Sequence, residues 1–218
     1  MTITEPTTPP PATDDAPAAG GGDRLALPVQ AQELLFTQAR TANTFTDEPV
    51  TQDQVRAIYD LVKYAPTSMN VSPLRVTLIR TTQGRERVLA HLFPGNRDKT
   101  AQAPLVAVLS ADRTFHEHLP TLVPHLPNAR ERFADPALRE AVATSSGWLQ
   151  VGYFIVGVRA AGLAAGPMTG FDAAGLEAEL FPDGTRKVLA VVNIGRPGPD
   201  AYRPRAPRLA YEQVVEEI

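Results

Sequence analysis

The sequence predicts an α+β domain: a three-layer fold with helices flanking a small mixed β-sheet. Three observations point there. Helical periodicity clusters at the two ends of the chain. A few short runs between them read as strands, and two of these are apolar throughout. Strand and helix do not alternate strictly, and no glycine fingerprint follows a strand, which argues against a doubly wound dinucleotide fold.

The first 25 or so residues are dominated by Pro, Thr, Ala and Gly and include Gly20-Gly21-Gly22. Such a segment buries too little apolar surface to offset the entropy of ordering it, so residues 1–25 are expected to be a disordered tail and 26–218 the folded domain. Helical signals begin at Pro28 and run through Val29, Leu34, Leu35 and Phe36. A second helix opens on a Thr51/Gln54 capping box, places Val55, Ile58, Leu61 and Val62 on one face, and must stop near Ala65 because Pro66 follows. Arg75 to Arg80 alternates and is β-branched, the pattern of a strand. A short helix is expected over Arg85–Leu92. Leu105 to Leu109 is apolar on both faces, which suits a central strand. The Pro-punctuated stretch holding Pro120, Pro124 and Pro127 reads as a loop or lid with short helices. Leu138 to Ala161 is the longest helical pattern. Its second half is apolar nearly all round, so it should be buried in a core or in a subunit interface, and Gly162 is placed to end it. Asp172 is a good N-cap for a helix over Ala173–Leu180. Lys187 to Ile194 is a third strand. A Pro-rich arm follows Gly195, and a last turn or strand end lies around Val214 and Val215.

The 218 residues suffice for one sizeable core. The net charge of -3 gives no bulk electrostatic case for nucleic acid or an anionic membrane. Cysteine is absent, which removes disulfides, thiolate nucleophiles and Cys-type metal sites. His116 and His118 lie two apart, His91 and His125 are isolated, and no metal-binding spacing appears. No apolar run approaches the roughly 20 residues of a membrane helix, and the N-terminus lacks signal-peptide sections. The expectation is a cytoplasmic protein without a metal.

Four segments carry chemistry. Arg40-Thr41-Ala42-Asn43-Thr44-Phe45 puts a guanidinium, a hydroxyl and an amide within reach of one phosphate. From the residues alone, a helix end with Asn43 as a cap explains the segment better. Pro66-Thr67-Ser68-Met69-Asn70 offers donors and acceptors suited to the edge of a planar heterocycle, or is simply a turn. Gly166 to Asp172 contains Met168, Thr169 and Gly170. Its glycines allow the backbone to approach a flat ligand, while a strand–turn–helix connection explains it too. Arg203-Pro204-Arg205-Ala206-Pro207-Arg208 is a stiffened arm presenting guanidiniums, or a solvated basic end.

In this order and spacing, the four segments resemble those of the FMN-dependent nitroreductase superfamily, from about Leu34 to the C-terminus. Finer features resemble its malonic semialdehyde reductase branch, which acts in pyrimidine degradation: Leu35-Phe36-Thr37, Phe93-Pro94-Gly95-Asn96 with Lys99-Thr100, Leu119-Pro120, Pro124-His125, Gly166-Pro167-Met168 and Arg205 to Leu209. The chain departs from the superfamily pattern at Asn43, where a basic residue often stands, and at Val71-Ser72-Pro73-Leu74, in place of the usual Q-P-W. The resemblance implies a domain-swapped homodimer with FMN at its interface and the face of Leu149–Val158 as a seam. Arg40, Thr41, Asn43, Arg203 and Arg205 would hold the FMN phosphate. Pro66, Thr67, Ser68 and Asn70 would border the flavin from the partner subunit. Met168, Thr169 and Gly170 would lie beside it, with the Gly170 N–H donating to flavin N5. NADH or NADPH would deliver hydride to N5 and leave, and the second substrate would take the hydride in a ping-pong cycle. By the resemblance to the branch, that substrate would be malonic semialdehyde, reduced to 3-hydroxypropionate, with Arg75 or Arg130 as candidate cations for its carboxylate. The alternatives are a nitroaromatic or quinone reductase on the same scaffold, and a non-catalytic FMN-binding protein.

Overall fold

The computed structural model describes residues 25–218; the expected tail therefore lies, but for Leu25, outside the described residues. Four strands form one sheet in the order β1-β2-β4-β3: β1 Leu74–Ile79, β2 Leu105–Asp112, β3 Ala164–Met168 and β4 Arg186–Gly195. All three pairings are antiparallel, so the sheet is not the mixed one expected. The missing strand in the sequence reading is β3. Its Ala-Ala-Gly-Pro-Met lacks the β-branched run that marks a strand, and pairing with β4 makes it one.

Both faces of the sheet are covered, as a three-layer fold requires. Along β2, Leu105, Ala107, Leu109 and Ala111 enter the core formed with α2 (Gln52–Val62) and α6 (Pro136–Ala160). The alternate residues Val106 and Val108 enter a second core, with α3 (Thr82–His91) and α7 (Ala173–Leu180). The registers of β2 and β4 slip by one residue, since Leu109 pairs with Ala190 but Ser110 pairs with Val188. Leu189 is left over as a bulge, and it joins the α2/α6 core.

Local signals place the helices. The Thr51/Gln54 capping box opens α2, where Ile58 and Val62 are buried but Leu61 is exposed. Asp135 caps α6, and Asp172 caps α7 through the Gly175 N–H. Gly162, at φ +72°, closes α6 in a Schellman arrangement: Gly162 N donates to Arg159 O and Leu163 N to Val158 O. The first helical segment runs as α1 (Val29–Gln32) and continues as a π-turn over Glu33–Thr37, and the Pro-punctuated stretch holds the short α5 (Leu119–Leu122). Two elements differ from expectation. The stretch after Phe93 folds into α4 (Pro94–Gln102), whose sequence has no apolar stripe to announce it. α6 is also long and apolar enough, by length and composition, to cross a membrane; in this fold it packs along the sheet. Its two sides are unlike. Ala143, Gly147, Gln150, Val151, Phe154 and Val158 are buried, while Trp148, Leu149 and Tyr153 stand 43, 54 and 47% exposed in a stripe at helical spacing.

Candidate functional site

A cleft of about 760 Å³ opens beyond the β4 end that carries Gly195. The chain reaches it from three directions. Residues 39–43 come from the segment after the π-turn and are tied to the sheet by Ala42 N donating to Ala165 O at 3.1 Å. The arm after β4 returns alongside, held by Asn43 N donating to Ala201 O at 2.9 Å. Helix α4 supplies the third wall with Gly95, Asp98 and Lys99.

The walls are cationic: Arg40, Lys99, Arg203, Arg205 and Arg208 face one carboxylate, Asp98. Thr41 and Asn43 add polar groups. Arg40 Nη1 donates to Arg203 O at 3.3 Å, which couples the two phosphate-binding segments expected from sequence. Arg205 Nη2 donates to Thr37 O at 2.6 Å and Ala39 O at 3.2 Å, so its fork is anchored to the opposite wall of the cleft. Asn43 is committed differently. Its amide donates, at 3.4 Å each, to Thr41 O and Ala201 O and pins the arm. Burial holds the Lys99 ammonium below its usual basicity, and Arg203 pushes the same way. Behind the cleft, Arg159 donates to Leu35 O at 3.1 Å, and its basicity is lowered by burial first and by Arg205 next. An accumulation of cations with so little compensating acid is suited to a phosphate dianion.

Gly170 lies just past β3. Its carbonyl accepts from Asn96 Nδ2 at 2.8 Å and from Phe93 N at 3.1 Å, both at the start of α4. A Cβ at this position would come within 2.6 Å of Asn96 Nδ2, so a side chain here would have to displace the Asn96 amide. Among the described residues the Gly170 N–H is left free to donate. Thr169 is exposed, and its carbonyl accepts from Phe171 N. The Met168 side chain turns into the second core, with Sδ 3.6 Å from Thr100 Oγ1, so only its backbone is left to face a ligand.

The Pro66–Asn70 segment is elsewhere. It forms a 3-10 turn with positive φ at Met69 and Asn70, followed by Ser72 at φ +41°. Three non-glycine residues held there imply backbone strain. The turn is fastened by Ser68 N to Ser146 Oγ (3.3 Å), Ser72 N to Thr67 Oγ1 (3.2 Å) and Asn70 Nδ2 to Leu122 O (3.0 Å). It precedes Leu74, which pairs with Ala111 at one end of β2, whereas the cleft lies by Gly195, next to the pairing of Ile194 with Leu105 at the other. Six residues of strand, roughly 20 Å, separate the two ends. One chain therefore brings Arg40, Thr41, Asn43, Arg203 and Arg205 together, with Gly170 nearby through α4, and leaves Pro66, Thr67, Ser68 and Asn70 apart.

Arg75 does not serve as a free cation for a substrate carboxylate. It donates to Asp112 Oδ2 at 2.6 Å and to the carbonyls of Ser72 and Leu74 at 3.0 Å. Arg130 is exposed at the protein surface. The residues of α4, above all Asn96 and Lys99, entered the sequence reading as branch features without a role in the site, which the structure gives them. Pro94 at the first helical position and the i, i+3, i+4 spacing of Asn96, Lys99 and Thr100 are the signals that could have found them.

Comparison with known proteins shows the family and the fold. The profile of the Nitroreductase family matches residues 37–196. A Streptomyces coelicolor protein named "Putative NADH dehydrogenase/NAD(P)H nitroreductase" is 63% identical over 195 residues, covering 89% of this chain and 99% of its own. Among solved structures, a "putative nitroreductase in complex with FMN" from Exiguobacterium sibiricum superimposes with a TM-score of 0.74 at 15% identity, covering 86% of this chain and 96% of that one. The NADPH:FMN oxidoreductase of Vibrio harveyi, complexed with NAD+, gives 0.68 at 20% identity, covering 86% and 76%. At such identities the structural likeness speaks for the fold.

Proposed function

Since this chain belongs to the nitroreductase family, we propose that it is an FMN-dependent NAD(P)H oxidoreductase whose acceptor is a small aldehyde acid, malonic semialdehyde, reduced to 3-hydroxypropionate. One observation carries the cofactor reading: Arg40, Arg203, Arg205 and Lys99 converge on one cleft with a single carboxylate, beside a glycine whose N–H is free. That donor set fits FMN, with a dianionic phosphate at the cationic end and a flat ring passing the side-chain-free Gly170. When bound, FMN supplies two-electron hydride exchange. The protein does the rest. Arg40, Arg203 and Lys99 neutralise the phosphate. Arg205, anchored on Thr37 and Ala39, keeps its guanidinium oriented before the ligand arrives. The Gly170 N–H offers a fixed donor to the ring edge.

The same geometry supports a homodimer. Pro66, Thr67, Ser68 and Asn70 reach a flavin held near Gly170 only if a second copy brings them. The Trp148/Leu149/Tyr153 stripe supplies an apolar seam. The arm beyond Ala201, with Leu209, Tyr211 and Val214 well exposed, has apolar residues to lay on that copy, which supports the domain swap.

The test is anaerobic. The purified protein should be yellow, bleach with NADH or NADPH, and regain colour when malonic semialdehyde is added, with 3-hydroxypropionate as product. Reoxidation by nitroarenes but not by the aldehyde would move the reading to a nitro or quinone reductase, the acceptor class that the Streptomyces relative's name favours. Bound flavin that never bleaches would leave a binding protein. A colourless chain that takes up no FMN would refute the whole.

A further inference from the structure

We propose that Asn96 is a positioning residue of this site: its side-chain amide clamps the Gly170 carbonyl from helix α4 and, through the turn that Phe171 N closes on Thr169 O, sets where the Gly170 N–H points. The proposal rests on the FMN reading above.

The clamp is redundant on one side of Gly170 and absent on the other. The Gly170 carbonyl takes two donors, Asn96 Nδ2 at 2.8 Å and Phe93 N at 3.1 Å. Asn96 N in turn donates to Phe93 O at 2.9 Å, which closes the first turn of α4 around the bond. The next residues are tied as well: Phe171 N donates to Thr169 O, and Asp172 N donates to His91 O at 2.8 Å. The held carbonyl shares its peptide plane with Phe171 N–H, and Phe171 N donates at 3.1 Å to Thr169 O, which shares its own plane with the Gly170 N–H; this tight turn ties the second plane to the first and sets the direction of the N–H. Asn is the residue that does this, because a donor must meet a carbonyl. Aspartate has the same shape but would face that carbonyl with acceptors alone.

A positioning residue must itself be immobile, and α4 is fixed along its length. At its C-terminal end, Arg85 Nη1 donates to Thr100 O at 2.9 Å, Ala101 O at 3.0 Å and Ala103 O, which takes up carbonyls that have no helical partner. Arg97 Nε donates to Leu92 O at 2.8 Å near the start. Beneath, the fully buried Thr100 accepts at Oγ1 from Asn193 Nδ2 of β4 at 3.1 Å. One turn after Asn96, Lys99 faces the cationic cleft. A single rigid helix thus touches both the phosphate end of the site and the loop that offers the ring-edge donor, and ties their geometry together before any ligand enters.

The test uses Asn96→Asp and Asn96→Ala in the full-length protein, with two readouts. Amide hydrogen exchange at Phe93 and Asp172, in protein stripped of FMN, should speed up about tenfold in both variants, the worth of one hydrogen bond. The midpoint potential of FMN-loaded protein should shift by about 30 mV, which is a tenfold change in the ratio of oxidised- to reduced-flavin affinity for a two-electron couple. Unchanged exchange in both variants would overturn the clamp. Faster exchange with an unmoved potential would overturn its role toward the flavin. If the wild-type protein takes up no FMN, the functional reading fails and this proposal with it, whatever the exchange rates show.

Discussion

Replacing Arg205 by alanine is the sharpest probe of the cleft. Its guanidinium has five donors, and it spends Nη2 on the carbonyls of Thr37 and Ala39. Those bonds hold the fork in place, leaving donors for a phosphate at the cleft wall. Losing one charge-assisted hydrogen bond to a phosphate costs about 1.5–3 kcal/mol, or roughly 10- to 150-fold in Kd. Arg40, Lys99 and Arg203 stay behind, so the expected loss is toward the lower figure. Truncation also frees the arm from Thr37, so Arg40→Ala is measured beside it: Arg40 makes one bond to the arm, at 3.3 Å, and its removal leaves the Thr37 tie intact. The assay is a flavin fluorescence titration of FMN-stripped protein at about 0.1 M salt, where exposed charges are still felt over about 10 Å. A Kd within threefold of wild type for both variants, with unchanged thermal melts, would refute the phosphate assignment.

Four other outcomes follow from the same geometry. Gly170→Ala should lose FMN and destabilise the loop, because the new Cβ would lie 2.6 Å from Asn96 Nδ2; FMN retention and a melting curve check it. Gly157→Ala would drive a Cβ to 2.3 Å from Val62 Cγ1 where α6 crosses α2, costing about 1–3 kcal/mol in urea unfolding with no direct effect on the cleft. Leu149→Asp with Tyr153→Glu, on the exposed side of α6, should yield a monomer by light scattering that no longer retains FMN. Burial, reinforced by Arg139 and Arg130, holds the His116 imidazole below its usual 6.5. A depressed histidine contributes stability that is present above 6.5 and lost as pH falls through its folded-state value. The urea midpoint of wild type should therefore drop more steeply below pH 6.5 than that of His116→Gln.

Much of the fold was legible because its signals are local. The Thr51/Gln54 box, the Asp172 cap, the Gly162 stop and the alternation in β1 each depend on a few adjacent residues, and each stands where the sequence put it. β3 was not legible, since Ala164–Met168 is a strand only by pairing with β4. α4 was not legible either. Its residues are polar on every side, and it is held by Arg85, Arg97 and Thr100 through bonds to distant or non-helical partners rather than by a buried stripe. Leu61 shows the opposite error, an apolar residue at the right helical spacing that faces solvent because α2 meets its neighbours along Val55, Ile58 and Val62.

The candidate site divides the same way. The sequence by itself determined which groups are present: guanidiniums at 40, 203 and 205, a side-chain-free position at 170, and a polar turn at 66–70. Only the tertiary structure decided which of these meet. The antiparallel pairing of β3 with β4 returns Ala42 and the arm to one end of the sheet, and α4 closes them into a cleft with Lys99 and Asn96. It also placed the 66–70 turn at the far end and tied up Arg75 with Asp112. Spacing along a chain carries no information about which ends of a sheet coincide. Strand order and register set that, and they come from the burial of both faces of β2 and β4 at once.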